Sequence, residues 1–234
     1  MLIDLHVHTF KSGDSSLSPE ELAHEAKRIG LDGVCLTEHG GGWGRDEFER
    51  FARQHNLLLV RALEVDTDVG HIAVFGVDGY VPGMSKAEGL RRIVDAAGGF
   101  AVLTHPFRRL FDQPSGRNFL YPGPLHRLPT AEEAAQHPIF NLVDDVEVLN
   151  GGNTERENCF AREVADLRGM KGTGGSDAHS THGLGCFVTY FEKTIRSTAE
   201  LVEELRARRF TPVHGLLQGQ PRPFSGNGRL AFRS

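Results

Sequence analysis

Short apolar runs recur along this chain between stretches whose apolar positions return every three to four residues, the pattern of strands alternating with amphipathic helices. Strands are predicted over residues 2–7, 33–37, 58–64, 71–76, 100–104, 145–149, 171–175, 186–191 and 210–214. Helices are predicted over about 18–29, 45–55, 85–98, 131–137, 154–168 and 197–208. Within them Leu22, Ala26 and Ile29, or Leu90, Ile93, Val94 and Ala97, fall on one face. Ser18 with Glu21, Ser85 with Glu88 and Ser197 with Glu200 have capping-box spacing, and Pro19 suits a first helical position. Strand alternating with helix implies an α/β fold with mostly parallel pairing, with ligands expected at the carboxyl ends of the strands.

Polar residues break the apolar pattern at those ends. They are His6 and His8 in LIDLHVHT, Asp14 in KSGDS, His39 in CLTEHG, Glu64 in RALEVD, His71 in VGHIAVFG, His105 in VLTHPF, and Asp177 with His179 in GGSDAHS. His6 and His8 are two apart, so a strand points both to one face with Asp4 below them. Asp177 and His179 share that spacing, although Gly174 and Gly175 suggest a bent strand end or turn. Stretches this dispersed converge only if the fold brings many strand ends to one rim, which points to a barrel. Imidazole and carboxylate donors without thiolate suit zinc, manganese or iron, and the donor set does not choose among them.

A chain of 234 residues, 39% hydrophobic, can bury one sizeable core, so a single domain is expected. The formal charge of −5 does not suggest a polyanion-binding surface. Bound divalent cations would reverse the sign locally, which leaves nucleic acid among the substrates to consider. Cys35, Cys159 and Cys186 lack CxxC spacing and read as free thiols of a reducing cytoplasm. No basic leader precedes the first strand and no run reaches about 18 apolar residues, so neither secretion nor membrane insertion is expected. Of the other histidines, His24, His55, His126, His137 and His214 read as surface or core residues, whereas His182 follows GSDAH closely enough to border a pocket.

Taken in order, the HxH of the first strand, TEH, an isolated strand-end Glu, THP and GSDAH closely resemble the polymerase and histidinol phosphatase (PHP) family of metal-dependent phosphoesterases, over about residues 2–190. The resemblance implies a distorted (βα)7 barrel with a trinuclear metal centre. Carried over by position, it assigns His6, His8, Glu64 and Asp177 to one metal. Glu64 then bridges to a second metal with His71 and His105, and Asp14, His39 and His179 hold a third. His71 rests on the short motif HIAVFG. The chain has Glu38 where the family often has Asp, a residue expected to lie behind the ligands or face solvent, and Asp14 where some members have His. The implied nucleophile is a metal-bound hydroxide held through Glu64, which attacks phosphorus without any side-chain nucleophile.

Between the fifth and sixth strands lies a long connection, residues 106–144, interrupted by Pro114, Pro122, Pro124, Pro129 and Pro138. It leaves the rim directly after His105, as a functional lid would. Arg108 and Arg109, nearest His105, are the candidates for gripping a substrate phosphate, with Arg117 and Arg127 further along. Phe107, Phe111, Phe119 and Tyr121 are available to pack the connection or to stack on a base. Residues 1–214 thus read as the barrel domain and 215–234 as an irregular C-terminal extension. The expected activity is metal-dependent hydrolysis of a small phosphate ester, nucleotide or short oligonucleotide. A metal-dependent amidohydrolase and a non-catalytic, metal-stabilised regulatory module are the alternatives. The oligomeric state is left open.

Overall fold

A computed structural model describes residues 1–112 and 117–226 of the chain. Pro114 and the end of the expected C-terminal extension lie outside the described residues. Among the described residues ten strands form one sheet in the order β10-β9-β8-β1-β2-β3-β4-β5-β6-β7. These are β1 (Leu2–Val7), β2 (Gly33–Glu38), β3 (Leu58–Thr67), β4 (Gly70–Phe75), β5 (Phe100–Leu103), β6 (Asp145–Asn150), β7 (Thr173–Gly175), β8 (Phe187–Phe191), β9 (Phe210–His214) and β10 (Arg222–Pro223). Six α-helices among the described residues accompany them: α1 (Pro19–Ile29), α2 (Arg45–Ala52), α3 (Ala87–Ala97), α4 (Ala131–Ala135), α5 (Glu155–Leu167) and α6 (Thr198–Arg206).

Pairing is parallel through β1-β2-β3 and again through β5-β6-β7, as strand–helix alternation requires. It is antiparallel at β3-β4, β4-β5, β1-β8, β8-β9 and β9-β10, so the expectation of mostly parallel pairing is corrected. The reason at β3-β4 is connection length: only residues 68 and 69 separate the two strands, a hairpin turn and not the dozen or more residues of a parallel crossover. The sheet curls until the segment after β7 meets β1. There Val7 bridges Ala178, Asp177 N–H donates to His6 O at 2.7 Å, and His8 N–H donates to Ala178 O at 3.0 Å. The result is a mixed α/β fold with a curled sheet rather than an uninterrupted strand–helix repeat.

Helices pack outside the curl through apolar stripes. Leu22, Ala23 and Ala26 of α1 join Val7, Val34 and Leu36, and Leu201, Val202 and Leu205 of α6 join Ile3, Leu5 and Phe75. The Ser18–Glu21 capping box forms on α1. The Ser85–Glu88 box does not, because α3 starts at Ala87 and its first N–H is capped from the β3-β4 turn by Asp68 Oδ1 at 3.0 Å. Ser197 caps α6 by accepting from Glu200 N–H, but Glu200 reaches back to Arg196 N–H instead of Ser197. Two boxes not anticipated, Thr130–Glu133 and Thr154–Glu157, open α4 and α5.

Much of the connection over 106–144 is core. Phe107, Leu110, Leu120, Ala134, Ile139 and Phe140 are buried with Leu103 and Val146. The segment after β9 is not irregular throughout: it makes a 3₁₀ turn, adds β10 and buries Phe224. No helix among the described residues is long and apolar enough to cross a membrane, and the three cysteines are free thiols.

Candidate metal centre

The nine side chains picked out in the sequence come to one rim of the curled sheet. His6 projects from β1 and His8 from just beyond it, Glu64 from β3, and His39 and His105 from just beyond β2 and β5. Asp177 and His179 follow β7, and Asp14 lies beyond the turn after β1. His71 is reached differently. Because β4 runs against its neighbours, its beginning, not its end, lies at this rim, with His71 paired to Asp66 in register.

Glu64 lies at the centre, almost wholly buried, and its two oxygens face different partners. Oε2 lies 3.2 Å from His6 Nε2, 3.2 Å from His8 Nε2 and 3.4 Å from His39 Nε2. Oε1 lies 3.0 Å from His105 Nε2 and 3.3 Å from His71 Nδ1, and accepts from Thr104 Oγ1 at 2.7 Å. Asp177 Oδ1 closes the first group at 3.4 Å from both His6 Nε2 and His8 Nε2. Asp14 Oδ2 lies 3.2 Å from His179 Nε2 and 3.6 Å from His39 Nε2.

Three sets of donor atoms each gather within 4.8 Å: His6, His8, Glu64 and Asp177; His8, Asp14 and His179; and His39, Glu64 and His71. The first set has the membership that the family resemblance assigns to one metal. The other two divide differently, since His39 reaches both Glu64 and Asp14 and His8 belongs to two sets. Divalent cations fit this donor set. His6 Nε2 and His8 Nε2 face each other at 3.1 Å, and among the described residues the buried Nδ1 atoms of His39 and His71 meet no partner in hydrogen-bonding geometry, Glu64 Oε1 being 3.3 Å from His71 Nδ1. Imidazole nitrogens and carboxylate oxygens converging this closely on one another are satisfied by a cation.

Several supporting residues were not singled out in the sequence. Glu147 on β6 is buried; its Oε1 lies 3.0 Å from His6 Nδ1, and its Oε2 accepts from His105 N–H at 3.0 Å and Asn150 Nδ2 at 2.9 Å. A carboxylate on the far ring nitrogen fixes which nitrogen of His6 is turned to the cluster and raises its basicity. The signal was available, since VEVL places a carboxylate between apolar strand residues. His105 and Asp177 both have left-handed backbone (φ 29° and 54°), and Glu147 holds the first of these through its amide. Glu38 is buried and accepts from Thr9 N–H, Ser12 Oγ and Trp43 Nε1, while Ser12 Oγ also lies 3.0 Å from His8 Nδ1. It therefore lies behind the rim side chains and does not face solvent. Arg108 bonds Asp177, Asn150 and Asn153, so it joins the rim; Arg109 is exposed in left-handed backbone and gives its amide to Glu157.

The electrostatics follow from carboxylates and imidazoles sharing a buried space. Burial opposes the imidazolium of His6, but Glu64, Glu147 and Asp177 outweigh it and hold its pKa well above the histidine range. Burial likewise opposes charge on His8, yet Asp177 and Glu64 push it up to about 9. Glu64 and Asp177 are held well below the carboxylate range despite burial, each by His6 foremost. For His105 burial prevails and the pKa falls. Asp4, beneath the site, is raised by burial to about 6.

The family described as PHP domain matches residues 4–128, and the one described as PHP-associated matches residues 155–210. An uncharacterised protein of Methanocaldococcus jannaschii is 29% identical over 118 residues, 46% of this chain and 68% of that protein. Other curated relatives are matched over only 6% to 23% of their own length. Among solved structures, a candidate metal-dependent phosphoesterase of Bifidobacterium adolescentis superposes with TM-score 0.61 at 18% identity, covering 88% of this chain and 96% of that one. An amidohydrolase of Chromobacterium violaceum has the same TM-score, identity and coverage. At that identity both show a shared fold. With more than half of its length matched by the PHP domain and the matching segment carrying seven of the nine rim residues, this chain belongs to the PHP family.

Proposed function

We propose that the chain hydrolyses a small phosphate ester, a nucleotide or a short oligonucleotide, with up to three divalent cations, zinc, manganese or iron, held by the nine rim side chains. The observation that carries this reading is Glu64, whose two oxygens serve His6, His8 and His39 on one side and His71 and His105 on the other. A carboxylate so placed is suited to bridge two cations. Bound there, the cations supply Lewis-acid polarisation of phosphoryl oxygens and water of lowered pKa.

The chain's own residues grade from floor to opening. His6, His8 and Glu64 are sealed from solvent, whereas His179 and Asp14 are 37% and 49% exposed and Arg108 is 31% exposed. A phosphate entering from the open side meets the Arg108 guanidinium, which Asn150 and Asn153 hold in place. Its planar donor edge is suited to phosphoryl oxygens. Asp14, exposed and with few partners, makes the third cation the one most easily lost.

The test combines metal content with substrates of two classes. Metal-loaded protein is expected to hydrolyse phosphate esters, and Glu64→Gln, which keeps the size but removes the anion, is expected to lose cations and at least about 100-fold in turnover. Near wild-type turnover by Glu64→Gln at matched metal content would refute the bridging role. Cleavage of amides in place of esters would establish the amidohydrolase reading, and full metal occupancy with neither activity would establish a regulatory module.

A further inference from the structure

Phe119 is 59% exposed, yet the residues on either side of it, Asn118 and Leu120, are buried. Its ring centroid lies 5.0 Å from that of His71, with the planes 38° apart. The ring is held out by a built turn. Asn118 Nδ2 donates to Pro106 O at 2.8 Å and Arg108 O at 3.0 Å, while its Oδ1 accepts from Leu120 N–H at 3.0 Å and Tyr121 N–H at 3.1 Å. These bonds tie the turn to the segment that carries both His105 and Arg108. On the sheet side the Phe119 Cβ sits over Gly70, 3.4 Å from where a glycine Cβ would stand.

An apolar ring kept in water at a metal rim forgoes burial that the adjacent Leu120 obtains, and a rigid aromatic face offers contact area at little entropic cost. We infer that Phe119 is a substrate platform: the ester's leaving group carries a planar ring that lies on Phe119 while the phosphate occupies the rim between His71 and Arg108. The inference rests on the phosphoesterase reading. The chemistry it names is a planar conjugated ring, which a nucleobase and an imidazole both supply, and aliphatic phosphates lack it. Phe119 is thus a specificity-determining residue, acting on KM for one substrate class.

The experiment compares wild-type protein, Phe119→Ala and Phe119→Leu, all metal-loaded, on a nucleoside monophosphate, an imidazole-bearing alkyl phosphate and glycerol phosphate. Stacking of this kind predicts a KM increase on the order of tenfold in Phe119→Ala for the ring-bearing ester. Turnover of glycerol phosphate and metal stoichiometry are expected to be unchanged. Phe119→Leu keeps apolar bulk without the aromatic face and is expected to recover only part of the loss. Whichever ring ester is affected more identifies the source of the ring. Equal KM changes on ring-bearing and aliphatic esters, or none on either, would overturn the platform while leaving the phosphoesterase reading standing. Wild-type protein that cleaves no phosphate ester at full metal occupancy would overturn both.

Discussion

Glu147 uses its two oxygens in a way that glutamine cannot copy. Oε2 accepts from two donors, His105 N–H and Asn150 Nδ2, while Oε1 faces His6 Nδ1. In Glu147→Gln an amide NH₂ must replace one oxygen. It would oppose two donors, or it would face His6 Nδ1 and turn the ring's proton toward the cluster. Either arrangement is expected to weaken metal binding, by about 10- to 100-fold by the measure of other outer-shell changes. Chelator competition would measure this, and unchanged affinity would refute the positioning role. Arg108→Ala separates two functions of one guanidinium. If Arg108 grips phosphate, KM rises by the equivalent of about 1–3 kcal/mol with metal content intact. Loss of metal instead would show that its contact with Asp177 is what matters.

At the scale of elements, β7 is short and glycine-rich because neighbouring groups need the space. A Cβ on Gly175 would stand 2.5 Å from His6 Cβ and 2.9 Å from Glu147 Oε1, and one on Gly174 would stand 2.7 Å from Val188 O. The glycines therefore let β7 close onto β1 and let Glu147 reach His6. Gly175→Ala is expected to cost about 1–3 kcal/mol through overpacking. It is also expected to lower metal affinity, because both displaced groups support the cluster. Denaturant unfolding and metal titration together check this; a change in stability alone would show that the cluster tolerates the shift.

For the whole molecule, the cluster joins elements from both ends of the chain, so removal of cations held there is expected to be felt as global stability. Cation at about a hundredfold excess over its Kd stabilises by about 2.7 kcal/mol, a Tm rise of about 5–10 °C for a domain of this size. The effect depends on pH. In the metal-free chain the His8 pKa is raised from 6.5 to about 9, so its pairing contributes stability fully present below 6.5 and lost as pH rises through 9. A cation must displace that proton, so its apparent affinity rises over the same window. The Tm difference between loaded and stripped protein is therefore expected to be larger near pH 9 than near pH 6.5. Calorimetry at both pH values checks the sign, and an equal difference would show that His8 takes no part in binding.

Strand and helix positions were legible in the sequence because burial imposes periods that local reading detects: His6 and His8 share a face because strands alternate, and α1 begins at its capping box because both partners lie within one turn. The rim residues were legible because histidines at strand ends have no packing reason to be there. The Thr130–Glu133 and Thr154–Glu157 boxes carry the same local signal, with both partners within one turn. Pairing direction, the cap that Asp68 lends to α3, and the place of Glu147 between His6 and His105 were decided only by tertiary structure. Each depends on groups far apart in the chain or on the space left by a missing Cβ, and a one-dimensional pattern records neither. The sequence by itself determined which donor atoms this protein could offer a cation; the curl of the sheet decided which of them lie close enough to share one.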